Sequence, residues 1–190
     1  MPLTAVLLAG GRSSRMGRDK AEIHLPDGRP LWRRQLEDVL RPLGPVEIFL
    51  SGPAREGLPA DVRVLPDAVP GLGPLSGLAT ALGEAVTPLV AVLAVDLPGM
   101  SARFFRERLL PACTPERGAV GIGANGFFEP LAAVYPSAAH RLVVEHLWGT
   151  DRSMQNLVRA AVAMELVTPV ELHSDDMTRF INWNRPEDLA

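Results

Sequence analysis

A glycine-rich, basic segment near the start of the chain has residue types suited to binding phosphate. Gly10 and Gly11 directly follow an apolar run, and residues without a Cβ let backbone N–H groups approach a base or a phosphate closely. Arginine binds phosphate oxygens through two parallel hydrogen bonds, whereas lysine acts as a movable point charge. The segment supplies four such cations: Arg12, Arg15, Arg18 and Lys20. It therefore predicts a triphosphate-binding loop.

Spacing excludes two better-known phosphate loops. A Walker A loop needs G-x-x-x-x-G-K-[ST], but here Gly17 is followed by Arg18, and Lys20 is followed by Ala21. The dinucleotide pattern G-x-G-x-x-G does not fit the segment either. A glycine turn with a solvated basic face is the structural alternative, and it leaves the position directly after a predicted strand unexplained.

Two aspartates follow predicted strands. Asp96 ends the apolar run 89–95, and a carboxylate at the exit of a buried strand is costly unless it is paired or binds a metal. Magnesium takes one or two carboxylates together with waters and substrate phosphates, so Asp96 is predicted to bind Mg²⁺. Ser101 is a better candidate for capping the next helix. Asp67 lies in a loop rich in glycine and proline, where an aspartate also serves to begin a turn.

Composition limits the class of protein and of partner. The 190 residues are predicted to form one domain, 1–190, and their net charge of -3 provides no long-range attraction for nucleic acid or an anionic membrane. Cys113 is the only cysteine, which excludes an intrachain disulfide and favours a core position. Residues 1–9 lack the basic flank of a signal peptide, and no apolar run would span a bilayer. A cytoplasmic protein is expected.

The elements that must position these residues alternate along the chain. Near-continuous apolar runs are typical of parallel strands buried on both faces, and alternation with helices predicts an α/β domain. Predicted strands cover 6–9, 46–50, 62–65, 89–95, 119–122 and 131–135, and predicted helices cover 30–43, 74–85, 102–110 and 138–148. Ligands of such sheets bind at the carboxyl ends of the strands. The positions to compare are therefore Gly10, Ser51, Asp67 and Asp96.

The segment LAGGRSSRMGRDKA resembles the LAGGxSxRMGxDK signature of the molybdenum cofactor guanylyltransferase family. Further similarities follow in family order: 73–78 with GPLxGL, 95–98 with the metal-binding turn, 129–131 with a segment near the second substrate, and 182–189 with NxNTPEDL. The resemblance covers residues 4–189. It implies a Rossmann-like, three-layer α/β nucleotidyltransferase domain with a mostly parallel central sheet.

The family resemblance also implies a reaction. Members transfer GMP from GTP to the phosphate of molybdenum-bound molybdopterin, release pyrophosphate and form the molybdopterin guanine dinucleotide cofactor. Mg²⁺ is the implied cofactor. GTP and molybdenum-bound molybdopterin are the implied partners, with other proteins of molybdenum cofactor biosynthesis as candidates. Neither a nucleic acid nor a membrane is expected.

Site residues carry over by position. The predicted nucleotide-binding residues are Leu8, Ala9, Gly10, Gly11, Lys20, Ser51, Asp67 and Asp96. Arg15, Lys20 and Asp96 are the predicted catalytic residues, and Asp96 is the predicted metal ligand. Glu129, Pro130, Asn182 and Asn184 are the candidate acceptor-binding residues. Two positions depart from the family pattern: Ser51 stands where asparagine is common, and Arg185 replaces the usual threonine.

Two other functions remain open at this point. A CTP-using molybdopterin cytidylyltransferase, or a related sugar- or alcohol-phosphate nucleotidyltransferase, shares the glycine-rich start. The paired Gly10 and Gly11 favour the guanylyl branch, because the cytidylyl branch tends to carry Ala-Gly. A non-catalytic, nucleotide-binding regulatory protein is the alternative of another class, and retention of Lys20 and Asp96 argues against it.

Overall fold

The computed structural model describes residues 1–10, 19–66, 69 and 71–181. These residues contain a seven-stranded sheet in the order β3-β2-β1-β4-β6-β5-β7. Its strands are β1 (Leu3–Leu8), β2 (Glu47–Ser51), β3 (Val62–Leu65), β4 (Leu89–Ala94), β5 (Gly118–Ile122), β6 (Phe128–Pro136) and β7 (Val167–Glu171). β6 runs antiparallel to both of its neighbours, and the other pairs are parallel. The predicted mostly parallel sheet is confirmed.

Helices cover both faces of the sheet. On one face lie α1, whose turns run through Leu31–Arg34, Gln35–Leu40 and Arg41–Leu43, and α3, which runs through Ala102–Phe104, Phe105–Leu109 and Leu110–Ala112. On the other face lie α2 (Pro74–Glu84), α4 (His140–Trp148) and α5 (Met154–Ala163). A short α6 (Ser174–Met177) follows β7. The three layers match the predicted fold class.

Burial on both faces explains the continuous apolar strands. In β1, Leu7 packs into the core under α1, whereas Val6 and Leu8 pack into the core under α2. Alternate side chains of a strand point to opposite faces, so a central strand between two helical layers is apolar at nearly every position. The exception in β1 is the buried Thr4, whose hydroxyl donates to the carboxylate of Glu47. Among the described residues, every helix is too short or too polar to span a bilayer.

The predicted elements occur close to their expected positions, with several differences. α5 and β7 were not predicted, β6 begins at Phe128 instead of residue 131, and its antiparallel direction was not predicted. α1 ends as expected, because Gly44 adopts a left-handed conformation with φ of 69°. Ser101 caps α3 by accepting from the backbone N–H of Phe104. Cys113 is buried, as predicted.

Candidate active site

The carboxyl ends of four parallel strands form one row. Leu8 pairs with Ser51 of β2 and with Ala94 of β4, and Ser51 pairs with Leu65 of β3. The residues that follow these strands therefore share one edge of the sheet, which is the edge where α/β domains bind ligands. The prediction that Gly10, Ser51 and Asp96 converge on this edge agrees with the register.

The backbone leaving β1 lies against the backbone leaving β2. Ala9 donates its N–H to the carbonyl oxygen of Ser51 at 2.9 Å. Gly52 has a φ of +134°, and a Cβ there would lie 2.8 Å from the backbone nitrogen of Gly10. A residue with a side chain would be strained at this φ and would collide with the start of the loop. The exposed Gly10 is thus placed against a glycine that directly follows the neighbouring strand β2.

Ser51 lies at this edge with its side chain against α2. Its exposure is 2%, and a Cβ on Gly77 of α2 would lie 2.3 Å from Ser51 Oγ. The glycine in the GPLSGL segment therefore lets the first turns of α2 approach the ends of β1 and β2. Nucleotide contact at Ser51 stays a prediction.

Lys20 and Asp96 meet at the same edge. Lys20 Nζ lies 3.6 Å from Asp96 Oδ2, and the two side chains are 20% and 28% exposed. Lys20 begins a short 3₁₀ turn, Lys20–Glu22, which Asp19 caps by accepting from the N–H of Ala21 at 3.0 Å. A partly exposed ammonium can bind phosphate, and a partly exposed carboxylate can bind a hard cation. The structure thus brings together two of the three predicted catalytic residues.

The turn that carries Asp96 is held from α1. Gln35, whose side chain is completely buried, donates through Nε2 to the carbonyl oxygen of Leu97 at 2.6 Å and to that of Val95 at 3.4 Å. Arg34 Nη1 donates to the carbonyl oxygen of Met100 at 2.8 Å. Sequence reasoning missed Gln35. The available signal was a polar residue within the apolar stripe of a predicted helix.

A second missed residue lies in the loop after β2. Arg55 donates to the carbonyl oxygen of Ala9 at 2.8 Å and to carboxylate oxygens of Asp19 and Glu22 at 2.5 and 3.0 Å. Its side chain is only 4% exposed. The sequence offered only a weak signal, an arginine in a glycine- and proline-rich loop that follows a site strand. Its burial is visible only in the structure, and charged side chains are almost never buried unless they are paired.

Glu129 and Pro130 lie at a bulge on the same edge. The β5–β6 register shifts between Val120 and Gly121, and Gly121 pairs with Glu129. Since β6 is antiparallel to β4, its first residues lie beyond the carboxyl end of β4, where Asp96 follows. Burial raises the pKa of Glu129 to about 7. The antiparallel pairing thus places Glu129 and Pro130 on the Asp96 side of the sheet.

Two side chains hold the bulge in place. Gln155 of α5 accepts from the N–H of Phe128 at 3.0 Å and donates to its carbonyl oxygen at 2.8 Å, as a neighbouring strand would. The hydroxyl of the buried Tyr135 donates to the carbonyl oxygen of Pro130 at 2.9 Å. The backbone around Glu129 is therefore held by hydrogen bonds from the side chains of Gln155 and Tyr135.

A groove of about 550 Å³ adjoins the turn after Asp96. Its lining includes Pro98 and Gly99 from that turn, Arg34 and Asp38 of α1, and Ile181. Burial lowers the pKa of Arg34, and the nearby carboxylate of Asp38 opposes that shift. The groove offers both acidic and basic groups beside the predicted metal ligand.

Several predicted residues lie outside the described ones, namely Gly11, Arg15, Asp67, Asn182 and Asn184. Among the residues that are described, no three His, Cys, Asp or Glu side chains converge as metal ligands. Magnesium does not need such a cluster, because it keeps several waters and binds through one or two carboxylates and substrate phosphates. The partly exposed carboxylate of Asp96 fits that requirement.

Comparison with known proteins agrees with this arrangement. The protein-family model described as the MobA-like NTP transferase domain matches residues 5–165 of this chain. A probable molybdenum cofactor guanylyltransferase of Opitutus terrae is 42% identical and covers 98% of this chain and 92% of its own. A protein of the same description from Deinococcus radiodurans is 37% identical and covers 100% of this chain and 93% of its own.

A solved structure shares the fold. Molybdopterin-guanine dinucleotide biosynthesis protein A of Archaeoglobus fulgidus superposes with a TM-score of 0.71 at 19% identity, over 98% of this chain and 94% of that one. The similarity to the two bacterial relatives extends along almost the whole chain, and the family model spans Gly10, Lys20 and Asp96. The chain therefore belongs to the MobA-like NTP transferase domain family, and it is a nucleotidyltransferase.

Proposed function

We propose that this protein is a magnesium-dependent guanylyltransferase that transfers GMP from GTP to the phosphate of molybdenum-bound molybdopterin and releases pyrophosphate. The observation that carries the proposal is the 3.6 Å approach of Lys20 Nζ to Asp96 Oδ2 beside the exposed Gly10. The descriptions of the two bacterial relatives support the choice of GTP and of the molybdopterin acceptor. We also propose that the reaction occurs in the cytoplasm.

The nucleotide would bind at the carboxyl end of β1. Leu8, Ala9 and Gly10, with Gly11 after them, would contact the guanine and ribose, and Asp67 and Ser51 would contact the nucleotide from the neighbouring strand ends. Lys20 would neutralise charge on the triphosphate, and Arg15 would bind its oxygens in bidentate fashion. Such fixed cations stabilise the charge that develops on the phosphoryl oxygens during transfer.

Asp96 would hold Mg²⁺ through its carboxylate. When bound, the cation supplies charge neutralisation and orientation of the phosphates. The turn around Asp96 is held by Gln35, so the backbone that carries the carboxylate needs little reorganisation when the cation binds. Lys20, which lies beside Asp96, would then face the triphosphate.

The acceptor phosphate would attack the α-phosphorus of GTP in line. A new P–O bond forms to the acceptor as the P–O bond to the pyrophosphate breaks. The electron pair of the broken bond stays on the pyrophosphate oxygen, so the negative charge leaves with pyrophosphate. A phosphate is already an anion near pH 7, so the attack needs no general base. Glu129 and Pro130, together with Asn182 and Asn184, would seat the acceptor on the Asp96 side of the sheet.

One assay tests the proposal. Purified protein with Mg²⁺ and molybdenum-bound molybdopterin is given GTP or CTP, and pyrophosphate release and the dinucleotide product are measured. We expect product from GTP and little from CTP. Product from CTP alone would contradict the guanylyl assignment, and binding of GTP without pyrophosphate release would favour a regulatory protein.

A further inference from the structure

The guanidinium of Arg55 joins the two ends of the predicted triphosphate loop. One nitrogen, Nη2, donates to the carbonyl oxygen of Ala9, the residue before Gly10, and the other, Nη1, donates to Asp19 and Glu22, which lie on either side of Lys20 at the far end of the loop. We propose that Arg55 is a positioning residue, which fixes both ends of the loop and thereby sets the affinity for the nucleotide.

The contacts span three separate parts of the chain. Arg55 is 46 residues from Ala9 and 36 residues from Asp19 in sequence, yet both partners lie within 2.8 Å of its nitrogens. Holding both ends of a loop reduces the conformational freedom that is lost when a ligand binds, and that preorganisation appears as affinity. A residue that contacts neither the base nor a phosphate can therefore change nucleotide binding.

Burial and charge make Arg55 hard to replace. Its side chain is 4% exposed, whereas the carboxylates of Asp19 and Glu22 are 40% and 46% exposed. The planar guanidinium reaches a carbonyl and two carboxylates in one geometry, which the single ammonium of a lysine cannot do. Lys20 belongs to the same short turn as Glu22, so displacement of this turn would move the ammonium that faces Asp96.

A second arginine–aspartate pair provides a matched control. Arg41 donates from both terminal nitrogens to the two carboxylate oxygens of Asp61, each at 2.7 Å. Asp61 directly precedes β3, so this pair lies at the amino end of the strands, away from the candidate site. Loss of either arginine should lower the melting temperature, but only loss of Arg55 should raise the nucleotide KM.

The experiment compares Arg55→Met, Arg55→Lys and Arg41→Met in the full chain with Mg²⁺ and acceptor. The nucleotide is the one that the wild type uses, GTP or CTP, so a failure of the guanylyl assignment remains distinct from a failure of this inference. We expect the nucleotide KM of Arg55→Met to rise about tenfold or more, the acceptor KM to stay unchanged, and the rise in melting temperature caused by the nucleotide to shrink.

The Lys and control variants decide the interpretation. Arg55→Lys should give an intermediate nucleotide KM, and it serves in place of Arg55→Met if that variant does not fold. Arg41→Met should lower the melting temperature while the nucleotide KM stays at the wild-type value. A folded Arg55 variant with unchanged nucleotide KM would overturn the inference, as would an equal rise in KM for Arg41→Met.

A double-mutant cycle tests the route of the effect. Asp19→Asn keeps the oxygen that accepts from Ala21 but weakens the ionic bond to Arg55. If Arg55 acts through Asp19, the KM increase of the double variant is smaller than the product of the two single increases. Fully multiplicative increases would show that Arg55 does not act through Asp19.

Discussion

Gln35 donates its side-chain amide to the carbonyl oxygen of Leu97 at 2.6 Å, and this bond ties the turn that carries Asp96 to α1. The same nitrogen lies 3.4 Å from the carbonyl oxygen of Val95, on the other side of Asp96. A helix on one face of the sheet thus fixes the carboxylate that we propose as the magnesium ligand.

Replacing Gln35 with leucine should weaken the enzyme's response to magnesium. The change keeps the size of the side chain but leaves buried carbonyl oxygens without this donor, which costs about 1–3 kcal/mol. We expect a lower melting temperature, a higher Mg²⁺ concentration for half-maximal activity, and a fall in kcat of about tenfold. Gln35→Glu, which has the same shape but places an acceptor against the carbonyl oxygens, should be affected more strongly. Unchanged Mg²⁺ dependence in a folded Gln35→Leu protein would contradict this role.

Replacing Asp96 with alanine should abolish transfer more completely than nucleotide binding. Loss of a group that stabilises charge in the transition state costs about 100-fold or more in kcat. The backbone at Ala9 and Gly10 is unaltered, so GTP binding measured by calorimetry should be partly kept. Asp61→Ala, which removes an ion-paired carboxylate at the opposite edge, is the control and should retain turnover. Normal turnover in Asp96→Ala would contradict the proposed role of Asp96 as the magnesium ligand.

The central fold could be predicted from sequence because its signals are local. Burial of β1 and β4 on both faces requires continuous apolar runs, which are visible in the sequence. β7 gave a weaker signal, since it lies at the end of the sheet, contains Pro169 and exposes alternate residues. The antiparallel direction of β6 depends on which strands it pairs with, and no local pattern records that choice.

In the candidate site, too, features with a local sequence signal were predicted and features that depend on distant partners were missed. Gly10, Lys20 and Asp96 were predicted because the residues that follow site strands must be glycine, cationic or acidic for this chemistry. Gln35 and Arg55 were missed because their roles depend on distant partners: Leu97 is 62 residues from Gln35, and Ala9 is 46 residues from Arg55. A buried polar side chain is informative only when its partner is known.

Adding a methyl group at Gly77 should destabilise the protein although it improves the helix. Alanine gains about 1 kcal/mol over glycine in a helix interior. At Gly77, however, the new Cβ would lie 2.3 Å from Ser51 Oγ, 3.0 Å from Leu8 Cδ2 and 3.2 Å from Ser51 Cβ. Overpacking of this kind costs about 1–3 kcal/mol, and the serine Cβ cannot rotate away. We therefore expect a lower free energy of unfolding in urea and a higher nucleotide KM.

Gly83→Ala in the same helix is the control for that experiment. There the nearest atom to the added Cβ is Nε2 of His140, at 2.9 Å, and the end of a flexible side chain can move aside. We expect this variant to be as stable as the wild type or slightly more stable. Equal destabilisation of the two variants would mean that close packing of α2 on Ser51 is not the cause.

Glu129 should make the stability of the protein depend on pH. Burial raises the pKa of its carboxyl from 4.5 to about 7 in the folded protein, so between these values the folded state holds a proton that the unfolded state releases. The free energy of unfolding contributed by this group therefore falls as the pH rises from about 4.5 to about 7, and above that range the penalty of a partly buried charge is constant.

Glu129→Gln removes the charge and should be more stable than the wild type at pH 8, with a smaller difference at pH 5. Urea unfolding of both proteins at the two pH values measures this, with the exposed Glu116→Gln as the control for the general pH dependence. An equal difference between Glu129→Gln and the wild type at both pH values would show that Glu129 does not titrate in this range.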